Sequence, residues 1–98
     1  MTRATARAVG PVLIVGRTAD AVIGAIRASH TAVEVVDRGA YLRVLVPGAC
    51  RLRRVDVEAE LGAPFVLPAD LERVMASFQG HFHVDDDEAT WSATGGQP

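Results

Sequence analysis

Along this chain the apolar residues change period from two to 3.6 and back again, and that alternation constrains the fold more than any other feature. Pro11-Val-Leu-Ile-Val15 is a short, β-branched apolar run that reads as a buried strand. Gly16 and Thr18 then signal a turn and an N-cap. Ala19, Val22, Ile23 and Ile26 follow at i, i+3, i+4 and i+7, with Asp20 where a helix dipole favours an acid. This helix is predicted to end near Ser29 and His30. Ala32–Asp37 and Ala40–Val46 return to strand composition, joined by Arg38-Gly39 as a hairpin turn. In the second of these, Ala40, Leu42, Val44 and Val46 share one face, and Tyr41, Arg43 and Leu45 the other.

Pro47-Gly48 breaks the run, and Cys50–Arg54 reads as a further strand with Cys50 and Leu52 on one face, Arg51 and Arg53 on the other. If these strands pair, Arg43, Arg51 and Arg53 share an exposed face. Asp56 is expected to cap a short helix ended by Gly62 and Pro64. Pro68 opens another, in which Leu71, Val74, Met75 and Phe78 repeat at i, i+3, i+4 and i+7 until Gly80 stops it. That stripe leaves Ser77 outside the core. Gln79–Val84 and Glu88–Trp91 form a closing hairpin around Asp85-Asp86-Asp87. The order β-α-β-β-β-α-α-β-β neither alternates as parallel βαβ units do nor lacks helices. The prediction is therefore one compact α+β domain with mostly antiparallel strands and about three helices. Residues 1–8 read as a flexible N-terminal tail, 9–91 as the domain and 92–98 as a disordered C-terminal tail.

Composition narrows the function classes. The chain has 98 residues, 49% apolar and 22% charged, within the globular range. One cysteine excludes an internal disulfide framework and a multi-cysteine metal site. No apolar run approaches the ~20 residues that span a bilayer, and none behind Arg3 and Arg7 is long enough for a secretory signal, so a cytoplasmic protein is expected. The net charge of −2 hides a lopsided distribution: residues 1–37 carry +1, residues 38–54 carry +5 and residues 55–98 carry −8. A basic middle and an acidic end favour oriented docking on a protein surface, unless the two blocks neutralise each other within the fold. The alternative function is a small nucleic-acid-binding module using the Arg38–Arg54 face. Aromatic content of 5% and the overall acidity count against it and against a base-stacking platform.

No convincing active site emerges. His81 and His83 lie two apart on a strand with Asp85 next, a pattern able to offer three metal ligands. Strand alternation alone places both imidazoles on a polar face, with Phe82 and Val84 toward the core. The run Asp85–Glu88 lacks the glycine and distal glutamate of a calcium loop. Cys50 falls on the core face, as a buried small hydrophobe rather than a nucleophile. Gly10 and Gly16 bracket a strand, but no phosphate-cradling glycine pattern follows.

Four stretches, read together, carry a resemblance. They are Val9-Gly10-Pro11-Val12, Val35–Arg43 in the central hairpin, Glu60-Leu61-Gly62-Ala63-Pro64-Phe65 and Ala76-Ser77-Phe78-Gln79-Gly80, followed by the acidic hairpin. In this order and spacing they resemble the small regulatory (effector, or coupling) proteins of soluble diiron multicomponent monooxygenases acting on toluene, phenol, alkenes or methane. The resemblance runs from about Val9 to Trp91, and the compact length is more similar to the toluene and alkene branch. It implies a protein with no cofactor and no reaction of its own. Such a protein docks on the hydroxylase α-subunit above the diiron centre, in possible competition with a ferredoxin or reductase, and tunes substrate access, oxygen activation and electron coupling. By the same resemblance, Ala76, Ser77, Phe78, Gln79 and Gly80 face the hydroxylase. The basic middle of the chain adds Arg38, Tyr41, Arg43, Arg51 and Arg53 as candidate contacts. Neither nucleic acid nor membrane is an expected partner.

Overall fold

The apolar run around Val12 becomes the strand on which the fold is organised, β1 (Ala8–Ile14), in a computed structural model that describes residues 7–93. Then come α1 (Arg17–Ser29), β2 (Glu34–Asp37), β3 (Tyr41–Pro47), β4 (Ala49–Arg53), α2 (Arg54–Leu61), α3 (Ala69–Val74), β5 (Met75–Gln79), β6 (His81–Val84) and β7 (Glu88–Ser92). The strands form two antiparallel sheets, ordered β2-β3-β1-β5 and β4-β7-β6. The expected α+β order holds, with one strand, β5, added before the closing hairpin.

The inner faces of the sheets close over Val9, Leu13, Val44, Val46, Cys50, Leu52, Ala89 and Trp91, all buried. Helix α1 packs on α2 and β4 and contributes Val22, Ala25 and Ile26. Trp91 is fully buried and sits in an aromatic row, with Phe82 5.2 Å from it and Phe78 5.3 Å beyond Phe82, centroid to centroid. At such separations tilted rings add about 0.5–1.5 kcal/mol per pair to the effect of area burial.

Local chemistry explains most boundaries. Gly39, at φ +82°, makes the β2–β3 turn, where its N–H donates to Asp37 Oδ1 at 2.8 Å. Gly62, left-handed at φ +70°, ends α2 by donating its N–H to the Glu58 carbonyl. Two caps differ from expectation. Helix α1 begins at Arg17 behind Gly16, so Thr18 lies inside it; α2 begins at Arg54 behind Arg53, and Asp56 lies in its first turn. In α2 the chain turns directly out of β4, and the Arg54 N–H is taken by the Asp87 carbonyl.

The larger correction concerns residues 75–79. Helix α3 stops at Val74, and Met75–Gln79 is the edge strand β5, paired with β1 through Gly10↔Gln79, Pro11↔Phe78, Val12↔Ser77 and Leu13↔Met75, with a bulge at Ala76. Of the predicted helical stripe, only Leu71 and Val74 are buried; Met75 is half-buried and Phe78 is 44% exposed. The open edge of β1 offers a full ladder of hydrogen bonds, and that tertiary gain outweighs a weak local helix preference.

The N-terminal reading shifts too. Strand β1 starts at Ala8, Val9 pairs with Val46, and the Arg7 carbonyl accepts the Gly48 N–H, so Ala8 belongs to the sheet. At the other end Ser92 closes β7 and the Ala93 N–H donates to the Gly48 carbonyl. The tail readings for residues 1–6 and 94–98 lie outside the described residues.

Candidate functional site

Strand alternation divides the first sheet into two faces. Val9, Leu13, Leu42, Val44 and Val46 turn inward. The register then places Val12 and Ile14 of β1, Tyr41, Arg43 and Leu45 of β3, Glu34 and Val36 of β2, and Ser77 and Gln79 of β5 on the outer face. Ile14 and Tyr41 are directly paired and 45% and 44% exposed. Across the middle of this face Arg43 Nη2 donates to Gln79 Oε1 at 2.8 Å, spanning β1 above Val12. The surface combines apolar side chains with one fixed guanidinium–amide pair. At Ile14 it runs into an open groove of about 460 Å³ between the start of α1 and the ends of α2 and α3, lined by Val15, Arg17, Phe65, Arg73 and Val74 among others.

Of the residues singled out from sequence, Tyr41, Arg43, Ser77 and Gln79 therefore converge. Ala76 and Phe78 belong to the same strand, Gly80 follows it at the passage into β6, and Arg38 stands in the β2–β3 turn at one end of the sheet. Arg51 and Arg53 do not join them. They lie on β4 in the second sheet, so the shared arginine face expected from pairing of β3 and β4 does not form. The two strands are adjacent in sequence, but the Pro47-Gly48 break turns β4 away to pair with β7.

Charge is partly neutralised within the fold. Arg51 Nε meets Glu88 Oε1 at 2.7 Å, Arg54 Nη1 meets Glu58 Oε1 at 2.9 Å, and Arg54 Nη2 lies 3.7 Å from Asp87 Oδ1. Glu58 also accepts the Phe65 N–H through Oε2; that bond, with Arg54 beside it, holds its carboxyl below the usual range. These pairs tie the basic middle to the acidic end, leaving less of the basic block for a polyanion.

The remaining candidates resolve plainly. His81 and His83 are both exposed on β6, alternating with half-buried Phe82 and Val84. Asp85 Oδ1 accepts the N–H groups of Glu88 and Asp87, which lowers its pKa and turns the carboxylate toward its own loop. Among the described residues no group of three or more His, Cys, Asp or Glu side chains is set to hold a metal ion. Cys50 is fully buried, and burial pushes its thiol up to about 12. Sequence reasoning missed the apolar half of the outer face, Val12, Ile14 and Val36. A continuous apolar run such as Pro11–Val15 reads as buried on both sides and does not reveal which alternate residues face out.

Fold and site together define a class: a small α+β domain whose main functional feature is an uncovered sheet face suited to contact with another protein. A family model described as the MmoB/DmpM family matches residues 7–92, and the chain belongs to that family, the effector (regulatory) subunits of multicomponent monooxygenases, which are not themselves catalytic. It is 44% identical over 85 residues to the effector subunit of the alkene monooxygenase system of Xanthobacter autotrophicus, covering 85% of this chain and 83% of that protein. Its fold also matches a chain in the solved structure of the phenol hydroxylase–regulatory protein complex. There the TM-score is 0.76 at 16% identity, with 87% of this chain and 95% of the other covered.

Proposed function

We propose that this chain is the effector of a toluene- or alkene-type multicomponent monooxygenase, and that it docks on the α-subunit of the diiron hydroxylase through the outer face of the first sheet and strand β5. The observation that carries the assignment of the surface is the register across β1. It gathers Tyr41, Arg43, Ser77 and Gln79, which come from segments far apart in sequence, into one uncovered patch. Kinship with an alkene monooxygenase effector subunit supports the type of system.

Docking of this kind acts by differential affinity. An effector that binds one conformation of the hydroxylase more tightly than another shifts their populations by the ratio of the two affinities, and an effector that binds both equally shifts nothing. Substrate access, oxygen activation and electron coupling then follow the hydroxylase state that is favoured. The apolar residues Val12, Ile14, Tyr41 and Leu45 supply area, and Arg43, held by Gln79, supplies orientation. A ferredoxin or reductase that approaches the same hydroxylase surface competes with the effector. The domain that docks runs from Ala8 of β1 to Ser92 of β7, and the system operates in the cytoplasm. No helix among the described residues is long and apolar enough to cross a membrane.

The test uses purified hydroxylase and its electron donors. Added effector should raise product formation per electron consumed and lower hydrogen peroxide release. Unchanged turnover and unchanged peroxide at saturating effector would overturn the proposal.

A further inference from the structure

The groove beside Ile14 has a buried apolar floor, made by Ala19 of α1, Phe65 after α2 and Val74 at the end of α3. Hydrogen bonds tie each of its walls. The Val15 N–H donates to the Ala40 carbonyl at 3.1 Å. Arg17 Nη2 donates to the Leu61 carbonyl at 3.1 Å, bridging the start of α1 to the end of α2. The Phe65 N–H donates to Glu58 Oε2 at 2.9 Å and the Val66 N–H to Asp70 Oδ2 at 2.8 Å, which pins the loop leading into α3. A cleft held in this way keeps its shape when empty, so little further ordering opposes an occupant.

The rim defines the chemistry of that occupant. Ile14, Val15 and the Tyr41 paired with Ile14 are 45%, 49% and 44% exposed, a contiguous apolar cluster of the kind that marks contact with another molecule. Arg17 and Arg73 add two guanidinium groups, neither in an ion pair among the described residues. The one carboxylate in the lining, Asp70, is turned to the Val66 N–H, so the groove offers net positive charge beside an apolar floor. An apolar side chain with a carboxylate next to it complements both. The groove is open, and a free small molecule in it would stay largely wet, whereas small-molecule sites bury most of their ligand. A side chain carried on a docked surface is covered by that surface. Ile14 belongs to the groove and to the outer face of the first sheet, so a contact made on the face continues into the groove.

We propose that the groove receives a projecting segment of the hydroxylase in which a large apolar side chain stands beside an aspartate or glutamate, the apolar group over Phe65 and Val74 and the carboxylate against Arg73. Arg73 is free to turn to it, since Arg17 is held by the Leu61 carbonyl. This rests on the reading of the chain as a hydroxylase effector and extends its docking surface beyond the sheet face.

Calorimetric titration of purified hydroxylase with the full chain tests it. Arg73→Glu and Val15→Asp should each weaken binding about tenfold while melting as the wild type does. Arg73→Lys, which keeps the charge, should recover part of that loss. Arg27→Glu makes the same charge change in the last turn of α1, outside the groove, and should bind as the wild type does. Unaltered binding of Arg73→Glu and Val15→Asp, with binding of Arg43→Glu weakened, overturns the groove and leaves the sheet face standing. Weakened groove variants with normal binding of Arg43→Glu support the groove and remove the sheet face. A wild type that does not bind hydroxylase overturns both readings. Amide resonances of the chain alone, recorded with sodium benzoate and over a range of protein concentration, cover the other occupants. Shifts confined to residues 14–19 and 61–74, with hydroxylase binding unaltered in the groove variants, would give the groove to a small carboxylate or a second copy and overturn the proposal. Should Val15→Asp fail to fold, Arg73→Glu and Arg73→Gln decide.

Discussion

Arg43 and Gln79 belong to strands that never touch, yet they share a 2.8 Å hydrogen bond across the strand between them. The bond fixes a long cation on the outer face of the first sheet. Arg43→Glu removes it and reverses the charge. A half-exposed side-chain bond of this kind contributes about 0.5–1.5 kcal/mol, so the variant should melt only slightly below the wild type. Its association with the hydroxylase, followed by stopped-flow, should slow and change its dependence on salt. Wild-type association kinetics would remove Arg43 from the docking surface.

Ser77 sits beside Val12 on the same face, exposed, with space above it. Ser77→Trp should therefore leave stability within about 0.5 kcal/mol of the wild type. The indole would stand out from the face and hold a docked surface away, so stimulation of turnover at fixed effector concentration should drop. A variant that melts normally and stimulates fully would place docking elsewhere.

His30, at the C-terminal end of α1, must be unprotonated at Nε2 to accept the Arg51 N–H. Burial, and then the nearby Arg51 charge, lowers its pKa below the ordinary 6.5. The folded state thus binds a proton there less readily than the unfolded chain. The stability this contributes is complete above the unfolded pKa and is lost as pH falls toward the lowered folded value. Between about pH 7 and about pH 5 the wild-type melting temperature should fall more steeply than that of His30→Gln. Parallel curves would show that the contact does not couple to folding.

Gly80 lies where the chain leaves the first sheet for the second, at φ +107°. A Cβ there would stand 2.8 Å from Val9 Cγ1 and 3.0 Å from the Ser92 carbonyl oxygen. Gly80→Ala combines a left-handed backbone with that crowding and should cost about 1–3 kcal/mol. In a domain of this size each kcal/mol lowers the melting temperature by about 4–8 °C, which calorimetry reads directly. An alanine variant as stable as the wild type would mean that the passage between sheets tolerates ordinary residues.

Cys50 should resist alkylation in the native protein and react fully once unfolded, because its thiol is buried and its pKa is raised to about 12. Rapid labelling under native conditions would contradict its place in the core.

Much of this architecture was legible in the sequence because local signals and tertiary packing agree. Arg38-Gly39 needed a turn and made one, and the alternation from Ala40 to Val46 gave the two faces of β3. Leu71 and Val74 belong to a helix as their spacing implied. The same spacing misled at Met75 and Phe78, since i+4 and i+7 matches cannot register that β1 has an unpaired edge within reach. The arginines show the same limit. Arg43 and Arg51 are eight positions apart and similar in pattern, and only the break at Pro47-Gly48, which sends β4 to β7, separates them into different sheets. Convergence of Arg43 with Gln79 depended on long-range register, which periodicity alone does not encode.

The aromatic row from Phe78 through Phe82 to Trp91 runs from the exposed strand into the middle of the core, in steps of 5.3 and 5.2 Å. Trp91 is the chain's one tryptophan, fully buried, and its indole N–H has no hydrogen-bond partner among the described residues. Its emission is therefore set by neighbouring rings rather than by solvent or a donor bond. A contact that presses on Phe78 reaches that fluorophore through a single intervening ring. The molecule thus contains its own optical gauge, readable without a dye, for whatever comes to rest against strand β5.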